Sequence, residues 1–410
     1  MANSLKTLSD GDIVREALAI FHNKLKFIKT INRQYDNRFA NEGGKNGGTL
    51  LIREPNQYTV TDSATLSVQE AAETTQTLTV ATQKHIGLPN FTSVEMTMSV
   101  DDFKSRFLEP AMSKLAANVE YTVLSNVYKN VFNLSTNSGT ATDPNTFLAA
   151  LNANTKLSQG LAPTTDRHLL MDSVGMAATV NAVGTYFHKS SELERAFSEG
   201  YIGEAAGMKW WESNMVPSHT NGTRTDATPV CNTDSGITSG SASVVTTGQT
   251  SSQTLTVGDV FTIADVYAVN LETKQRYSHL QQFVITAAIT ADATDTFTVS
   301  PTPVTSGAKQ NVDLESAGAG KAIVHVASGG SGAASAAYTQ NLAYHRDAFT
   351  FVSADLHVEP LQRMSRAVIE GISMRFWRGA DITNDKFPAR LDVLFGYKTI
   401  RPEWATRVRG

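Results

Sequence analysis

The last seventy residues constrain the fold most, because they are rich in aromatic residues and follow strand-like patterns. Four runs alternate apolar with polar residues or concentrate aromatic side chains, as half-buried strands do: residues 341–350, 351–356, 372–378 and 389–403. None of these runs leads into a glycine-rich phosphate loop, a metal-ligand cluster or a nucleophile turn. A large sheet without such chemistry indicates a protein that builds a surface or an assembly.

The composition is typical of a globular chain that has enough hydrophobic residues to form a core. Of the 410 residues, 41% are hydrophobic and 18% are charged, so two or three domains are expected and global disorder is not. The formal net charge is -4 at pH 7, whereas a protein that mainly grips nucleic acid usually carries a basic excess. A wall that merely surrounds nucleic acid is compatible with this charge.

Cys231 is the only cysteine, which limits redox and metal chemistry. One thiol allows neither an internal disulfide nor a zinc site of several thiolates, and it suits a reducing cytoplasm. Its polar neighbourhood favours a tolerated thiol over a nucleophile. The first twelve residues contain no apolar signal core, and the longest weakly apolar run, residues 284–291, is far shorter than the roughly 20 residues that span a bilayer. We therefore expect a soluble chain that no standard signal exports.

Two amphipathic helices are predicted in the first third of the chain. Residues 10–30 carry apolar side chains at spacings of three or four, and Asp10 or Asp12 can cap the start. The apolar stripe consists of Val14, Leu18, Phe21, Leu25 and Ile28. It suits packing on the same subunit or on a neighbour equally well. The second helix is predicted over residues 110–131, with Pro110 tolerable in a first turn, and its length is typical of a scaffold element.

A long two-stranded projection is predicted after the first helix. Residues 41–48 are a glycine-rich turn region, and two strand-like runs flank a polar stretch, at residues 49–53 and 76–82. Because an isolated hairpin is only marginally stable in water, we expect it to lie on another surface, which a neighbouring subunit would provide.

A mixed α/β region is predicted over residues 145–216. It combines a helix around Phe147, a short buried strand at residues 167–171, a helix over residues 173–183 and a strand at residues 208–211. Trp210 and Trp211 cannot share one side of that strand, so one is expected in the core and the other near an interface.

A change in composition after Pro217 marks an insertion. From Thr223 to Thr256, 16 of 34 residues are serine or threonine. Strands are predicted at residues 253–270, 281–290, 294–299 and 321–326, with glycine-rich segments at 318–320 and 328–332. We expect a small all-β domain inserted between two halves of another fold.

Two short motifs hint at phosphate chemistry, and each lacks a required residue. Residues 345–347 (His-Arg-Asp) resemble a kinase catalytic loop, yet Val352 stands where that motif needs asparagine. Residues 318–321 hint at a phosphate-binding loop, but Glu315 and Ala322 occupy positions that need glycine and a hydroxyl residue. We interpret the first motif as a strand-entry turn and the second as a linker.

A third motif, residues 329–333, is one residue short of a nucleophile elbow. Ser331 would be the nucleophile, with His345 and His357 downstream, but the loop is plain repetition of glycine, serine and alanine. The nine histidines show no pair at i and i+4 around a glutamate, so no catalytic, cofactor-binding or metal-binding residue is assigned. The basic tail, Arg401, Arg407 and Arg409, is interpreted as solvated charge or a subunit contact in preference to a nucleic-acid contact.

The order of these elements resembles that of the major capsid proteins of tailed bacteriophages with the HK97-type fold, and most closely the phage P22 coat protein group. Residues 114–120 are similar to the spine-helix motif of that group, and residues 206–217 to the strand that enters its insertion. Residues 257–264 resemble the opening strand of the inserted domain. Residues 341–355 and 391–403 resemble the strands on the return side, so the likeness covers nearly the whole chain.

The resemblance implies an α+β fold of the HK97 capsid type with an inserted small all-β domain. The implied parts are an N-terminal arm helix (1–40), an extended hairpin loop (41–95), a spine helix with peripheral domain (96–144), the first part of the axial domain (145–217), the inserted β domain (218–340) and the return strands of the axial and peripheral domains (341–410). No lysine and asparagine pair is assigned to the covalent cross-linking found in HK97 itself.

The resemblance implies that the chain is a coat protein. Its hexamers and pentamers would form an icosahedral head around a scaffolding protein. The head would then receive double-stranded DNA through a portal protein and enclose it. Assembly is expected in the host bacterial cytoplasm, with non-specific DNA contact, a decoration protein as a further candidate partner, and no membrane, cofactor or enzymatic activity. The alternatives are an encapsulin-like nanocompartment shell, a serine hydrolase that uses Ser331 and a cell-surface adhesin.

Overall fold

The computed structural model describes residues 10–33, 48–66, 68–69, 73–92, 104–136, 147–183, 203–224, 229–231, 237–292, 294–315, 320–327, 330–331, 335–359 and 363–409. The α-helices in these ranges are α1 (Asp10–Lys24), α2 (Phe27–Thr30), α3 (Glu109–Val127), α4 (Phe147–Gln159) and α5 (Ser173–Val183). None of them is both long enough and apolar enough to cross a membrane.

The strands fall into three groups along the chain. Before the insertion they are β1 (Thr49–Arg53), β2 (Thr75–Thr79), β3 (Thr82–Thr92), β4 (Leu134–Thr136), β5 (Arg167–Met171), β6 (Glu204–Ala205) and β7 (Met208–Glu212). Within it they are β8 (Ser218–Thr220), β9 (Val230–Cys231), β10 (Ser243–Thr247), β11 (Thr254–Leu255), β12 (Val260–Val269), β13 (Arg276–Ile285), β14 (Ile289–Thr290), β15 (Thr294–Ser300), β16 (Val312–Leu314), β17 (Lys321–Ala327), β18 (Gly330–Ser331) and β19 (Ala337–Thr339). After it they are β20 (Asn341–His345), β21 (Phe349–Ala354), β22 (Met364–Ile369), β23 (Ile372–Arg378), β24 (Lys386–Thr399) and β25 (Ala405–Arg409).

These elements form two units. Unit 1 comprises Met1–Arg53, Thr75–Val123 and Thr350–Lys398. Unit 2 comprises Glu54–Thr74, Leu124–Phe349 and Thr399–Gly410. Each unit is assembled from distant parts of the chain, as expected when one fold is interrupted by another.

A five-stranded sheet occupies unit 1. Its order is β21-β24-β23-β22, and β3 pairs with β24. Alternation along the strands makes one face apolar and buried, as shown by Ile372, Met374, Phe376, Leu391, Val393 and Phe395. Helix α1 packs against β22 and β23. The strands predicted over residues 351–356, 372–378 and 389–403 are confirmed as β21, β23 and β24.

The helix predicted over residues 10–30 forms as two helices, because a distant carboxylate caps the chain again in its middle. Glu120 on α3 accepts the backbone N–H of Phe27 at 2.5 Å and that of Lys26 at 3.2 Å, so α2 begins anew after α1 has ended. The predicted stripe, Val14, Leu18, Phe21, Leu25 and Ile28, is almost fully buried in this chain alone. The structure therefore favours packing on the same subunit over packing on a neighbour.

The hairpin and the long helix form as predicted, with shifted ends. Strands β1 and β2 are antiparallel in the register Thr49↔Thr79 to Arg53↔Thr75, and Thr82 begins the next strand. Helix α3 carries Pro110 in its first turn, where the missing N–H has no partner to lose, and it ends at Val127 in a 3-10 turn, not at Val131.

A mixed six-stranded sheet forms the α/β part of unit 2, in the order β4-β25-β20-β5-β7-β6. One face packs on α4 and α5 through a cluster that includes Leu157, Leu169, Met208 and Trp210. The predicted elements of residues 145–216 are confirmed: β5 and α5 have the expected bounds, and β7 covers residues 208–211. Trp210 is buried in this cluster and Trp211 is exposed, which confirms their placement on opposite sides of β7.

The insertion is a small closed β-barrel. Its sheet runs β16-β12-β13-β15-β10-β9-β17-β18, and a further pairing of β12 with β17 closes the cylinder. Phe261 stacks on Phe283 and meets Phe297 edge-on within the barrel's own hydrophobic cluster. The predicted long strand over residues 253–270 is divided in two, because Gly258 adopts φ +105° and turns the chain between β11 and β12. The second long strand, residues 281–290, is likewise divided between β13 and β14.

Candidate assembly surface

The most exposed apolar surface among the described residues lies in the chain that joins β1 to β2. Four large apolar side chains of this connection face solvent: Tyr58, Val60, Leu66 and Val68. Val60 and Leu66 leave 95% and 85% of their surface exposed. Single exposed apolar residues are ordinary, but several within one short segment are typical of a surface that another protein covers. We call residues 54–69 the apolar loop.

A side-chain clamp organises the apolar loop without covering its apolar residues. The side-chain oxygen of Gln69 accepts the backbone N–H of Thr59 at 2.9 Å, and its amide nitrogen donates to the carbonyl oxygen of Thr59 at 2.5 Å. The two bonds imitate one rung of a β-ladder. At the root of the connection, the N–H of Glu54 donates to the carbonyl oxygen of Thr74 at 2.9 Å. These hydrogen bonds hold the two sides of the apolar loop together. The loop therefore loses less conformational entropy when it binds a partner.

The strands β1 and β2 are fixed within unit 1. Leu50, Ile52 and Leu78 point inward and are buried, whereas Leu51 on the opposite face is exposed. The Nζ atom of Lys398 on β24 donates to the carbonyl oxygen of Thr77 at 2.8 Å. The hairpin thus has one side packed on its own unit and one apolar residue free on the other side.

The residues of the kinase-like motif form a turn, as interpreted. His345 ends β20, and its Nδ1 atom accepts the backbone N–H of Asp347 at 3.2 Å. Its ring stacks edge-on against Trp404 at 5.2 Å between centroids. Burial lowers the pKa of His345, so the ring is neutral near pH 7. These contacts cap a turn and assemble no phosphate-transfer site.

The two glycine-rich motifs lie partly outside the described residues. Residues 316–319, 328–329 and 332–334 are not described, and the side chain of Ser331 is not described either. Lys321 begins strand β17 and pairs with Asp265, whereas a phosphate-binding loop would place its lysine at the start of a helix. The downstream His357 is exposed and lies 3.3 Å from Glu359.

In the part of the chain that the structure describes, Cys231 and the metal-ligating residue types show no reactive arrangement. Cys231 is buried in the barrel core, and burial raises the pKa of its thiol to about 11, so the thiolate is scarce at neutral pH. Within the described ranges, no group of three or more histidine, cysteine, aspartate or glutamate side chains could hold a metal ion.

The basic tail is not solvated charge, contrary to the sequence interpretation. Arg407 and Arg409 lie on one face of β25 and are only 1% and 3% exposed. Strand β25 lies between β4 and β20 in the sheet of unit 2. Tyr128 and Tyr338 cover the face that carries the two arginines, and the other face packs on α4. Arg401 stacks on the ring of Trp404 at 4.0 Å. The sequence interpretation is wrong because the sequence alone does not show that other elements cover both faces of this strand.

The chain combines an α+β fold, an inserted β-barrel and the exposed apolar loop. Such an exposed apolar segment is typical of a protein that works through contacts between its surfaces. A family model described as "P22 coat protein - gene protein 5" matches residues 3–407. The chain therefore belongs to the P22 coat protein family, and it is a major capsid protein of a tailed bacteriophage and part of the virion. The resemblance to the phage P22 coat protein group and the capsid-type α+β fold, both inferred from the sequence, are confirmed.

Solved structures that resemble the chain come from bacteriophages. "Mycobacterium phage Che8" shares 12% identity, with 93% of this chain and 90% of that chain covered and a TM-score of 0.47. "Capsid structure of the Cyanophage P-SCSP1u" shares 11% identity, with coverage of 88% and 82% and a TM-score of 0.42. "Asymmetric unit of bacteriophage PhiM1 mature capsid" also shares 11% identity over 88% and 82%, with a TM-score of 0.41. No curated protein sequence matches the chain.

Proposed function

We propose that copies of this chain self-associate into hexamers and pentamers of an icosahedral head, and that the apolar loop is a principal contact between neighbouring copies. The observation that carries this proposal is the exposure of Tyr58, Val60, Leu66 and Val68 on one clamped segment. Burying one such side chain contributes roughly 1.5–3 kcal/mol, so the loop of one copy contributes a modest contact. Symmetry repeats it many times, which yields a cooperative shell from individually weak contacts.

The structural parts that we propose are those expected from the sequence. The parts are the arm (1–40), the extended hairpin loop (41–95), the spine and peripheral domain (96–144), the first axial part (145–217), the inserted barrel (218–340) and the return strands (341–410). The closed barrel with a separate aromatic core supports the autonomy of the insertion. The N-terminal stripe is buried in its own unit, so the arm contributes to assembly through residues other than this stripe.

The partners proposed beyond the chain itself are a scaffolding protein, a portal protein, a decoration protein and packaged double-stranded DNA. The DNA contact is non-specific, since the net charge of -4 provides no basic excess to hold a phosphate backbone. Assembly takes place in the host bacterial cytoplasm, which suits a chain with one buried thiol. The chain performs no catalysis in this proposal.

Electron microscopy of the expressed protein, with and without its scaffolding partner, tests the shell directly. Closed particles of uniform diameter in the presence of the partner are the expected result. A protein that stays monomeric at every concentration, with and without that partner, would contradict the proposal. Particles that enclose a cargo enzyme encoded beside the chain would favour the encapsulin-like alternative instead.

A further inference from the structure

Three arginines from two distant parts of the chain are buried where the barrel meets the α/β part of unit 2. Arg224 precedes β9, whereas Arg407 and Arg409 are two residues apart on one face of β25. We call these three residues the arginine cluster. Arginine is seldom fully buried without an anionic partner, because removing its charge from water costs several kcal/mol. Three such side chains in one place therefore require a large compensating negative charge.

Asp259 is the carboxylate that the described residues provide for this cluster. Its Oδ2 atom lies 3.0 Å from Nη1 of Arg224, and Nε2 of His219 lies 3.0 Å from its Oδ1. Oδ2 also accepts the backbone N–H groups of Thr256 at 3.0 Å and Gly222 at 3.3 Å. Nη1 of Arg407 donates to the carbonyl oxygen of Gly258, the residue before Asp259, at 2.8 Å. The carboxylate is thus saturated by the contacts it already makes.

All three guanidinium groups leave the same pair of donors without an acceptor. Nε and Nη2 of Arg224, of Arg407 and of Arg409 are buried and have no hydrogen-bond partner. The ring of Tyr338 lies 3.3 Å beneath Arg409, and both ring nitrogens of His325 are also buried without a hydrogen-bond partner. Nε and one terminal nitrogen form the edge of arginine that binds two oxygens of one oxyanion side by side. Buried donors without partners are rare in native proteins and call for an ion or water.

The charge balance of the arginine cluster indicates what kind of ion would pair with its unpartnered nitrogens. Burial lowers the pKa of His219 and lowers that of His325 to about 3, so both rings are neutral at pH 7. Among the residues that the structure describes in this part of unit 2, three guanidinium groups then face one carboxylate, which leaves two positive charges without a described counter-charge. A dianion restores neutrality, whereas a chloride ion would leave one charge unbalanced. Only a polyatomic anion also offers enough oxygens to accept from several guanidinium edges.

We propose that the arginine cluster is a buried binding site for one tetrahedral dianion, inorganic phosphate or sulfate, which fastens the inserted barrel to the α/β part of unit 2. The unpartnered nitrogens are sealed from solvent, so the side chains separate to admit the anion, and it is taken up as the barrel docks during folding. A polymer phosphate has no access to such a site. The proposal is independent of the shell-forming role, since it concerns the folding and stability of a single chain.

The first experiment counts the anion. The full-length protein is purified from phosphate-rich or sulfate-rich medium, dialysed into acetate buffer, denatured with acid, and the released anions are measured by ion chromatography. We expect about one phosphate or sulfate per chain, retained through dialysis. Release of neither ion above the buffer blank, or release of chloride alone, would overturn the proposal. This measurement needs no variant and therefore does not depend on whether a substituted chain folds.

The second experiment links the anion to the arginines. In protein refolded without oxyanions, low millimolar phosphate or sulfate should raise the melting temperature by several degrees in a saturable way, whereas acetate of equal ionic strength should not. The double variant Arg224→Gln, Arg409→Gln should lose both the bound anion and this shift. Arg276→Gln is the matched control, since Arg276 is half-exposed and pairs with Glu315 at 3.4 Å. Equal anion content in wild type and the double variant would mean an adventitious ion only, and would refute the assignment.

Discussion

Glu120 and Phe27 are 93 positions apart in sequence, yet the carboxylate of Glu120 accepts the backbone N–H of Phe27 at 2.5 Å. Both oxygens of the carboxylate also lie 3.2 Å from the backbone nitrogen of Lys26. The Glu120 side chain on α3 thus accepts the N–H groups at the start of α2, which no local side chain caps. This contact joins the N-terminal arm to the longest helix within unit 1.

Glu120→Ala should therefore loosen the arm more than it destabilises the rest of unit 1. It removes the carboxylate that accepts these two N–H groups, and a hydrogen bond to a charged group contributes about 1.5–3 kcal/mol. Hydrogen exchange is expected to quicken in residues 10–30 while β23 and β24 stay protected. Glu120→Gln is the control, since an amide keeps one oxygen acceptor and should retain most of the protection. Uniform acceleration across both regions would contradict a local capping role.

The sequence predicts the elements whose signals are local and misses those that depend on distant residues. α3 and the strands β1 and β2 follow from apolar periodicity, and Pro110 marks the first turn of the helix. The break between α1 and α2 has no local signal, because its cap is supplied by Glu120. The burial of Arg407 and Arg409 was missed for the same reason. Alternation along residues 405–409 places both arginines on one face, but only the docked barrel shows that this face is covered.

Gly396→Ala should destabilise unit 1, because β24 passes very close to the end of β2. A Cβ atom at Gly396 would lie 2.4 Å from the carbonyl oxygen of Thr79 and 2.9 Å from a methyl group of Val80. Backbone atoms cannot rotate away, so we expect a loss of about 1–3 kcal/mol in the free energy of unfolding, measured by urea denaturation. Gly87→Ala on the neighbouring strand β3 is the control, since a Cβ atom there meets nothing within 4 Å. Equal losses at both positions would disprove the steric explanation.

Asp259 should make the stability of unit 2 sensitive to acid. Burial alone would raise the pKa of Asp259, but the hydrogen bond from His219 and the charge of Arg224 outweigh burial and lower the pKa to about 2, from an ordinary value of 3.8. A carboxyl group with a depressed folded-state pKa stabilises the fold fully above its unfolded-state pKa, and this contribution disappears as the pH falls toward 2. The shift corresponds to about 2 kcal/mol.

Unfolding curves of wild type and Asp259→Asn between pH 6 and 2 check this expectation. The variant should be less stable near pH 6, by about 3–5 kcal/mol, because the arginine charges lose their buried partner. The difference between the two proteins should shrink as the pH falls from 4 to 2, since the carboxyl group then becomes protonated in the unfolded chain while the folded chain still holds it ionised. A difference that stays constant across this range would show that the charge of Asp259 is not the source of the effect.

Replacing the exposed apolar side chains of the apolar loop should abolish assembly and leave the subunit folded. Val60 and Leu66 expose nearly all their surface in the single chain, so Val60→Asp with Leu66→Asp removes almost no intramolecular contact. Between copies, however, the two carboxylates would have to be buried without partners, which costs far more than the lost apolar burial supplies. The melting temperature of the subunit should stay within a few degrees of wild type, while light scattering and electron microscopy show no closed particles. Val324→Asp on β17 is the control, because it adds a carboxylate at an exposed valine outside the apolar loop. Assembly of the loop variant at the wild-type rate would exclude the apolar loop as a principal contact between copies.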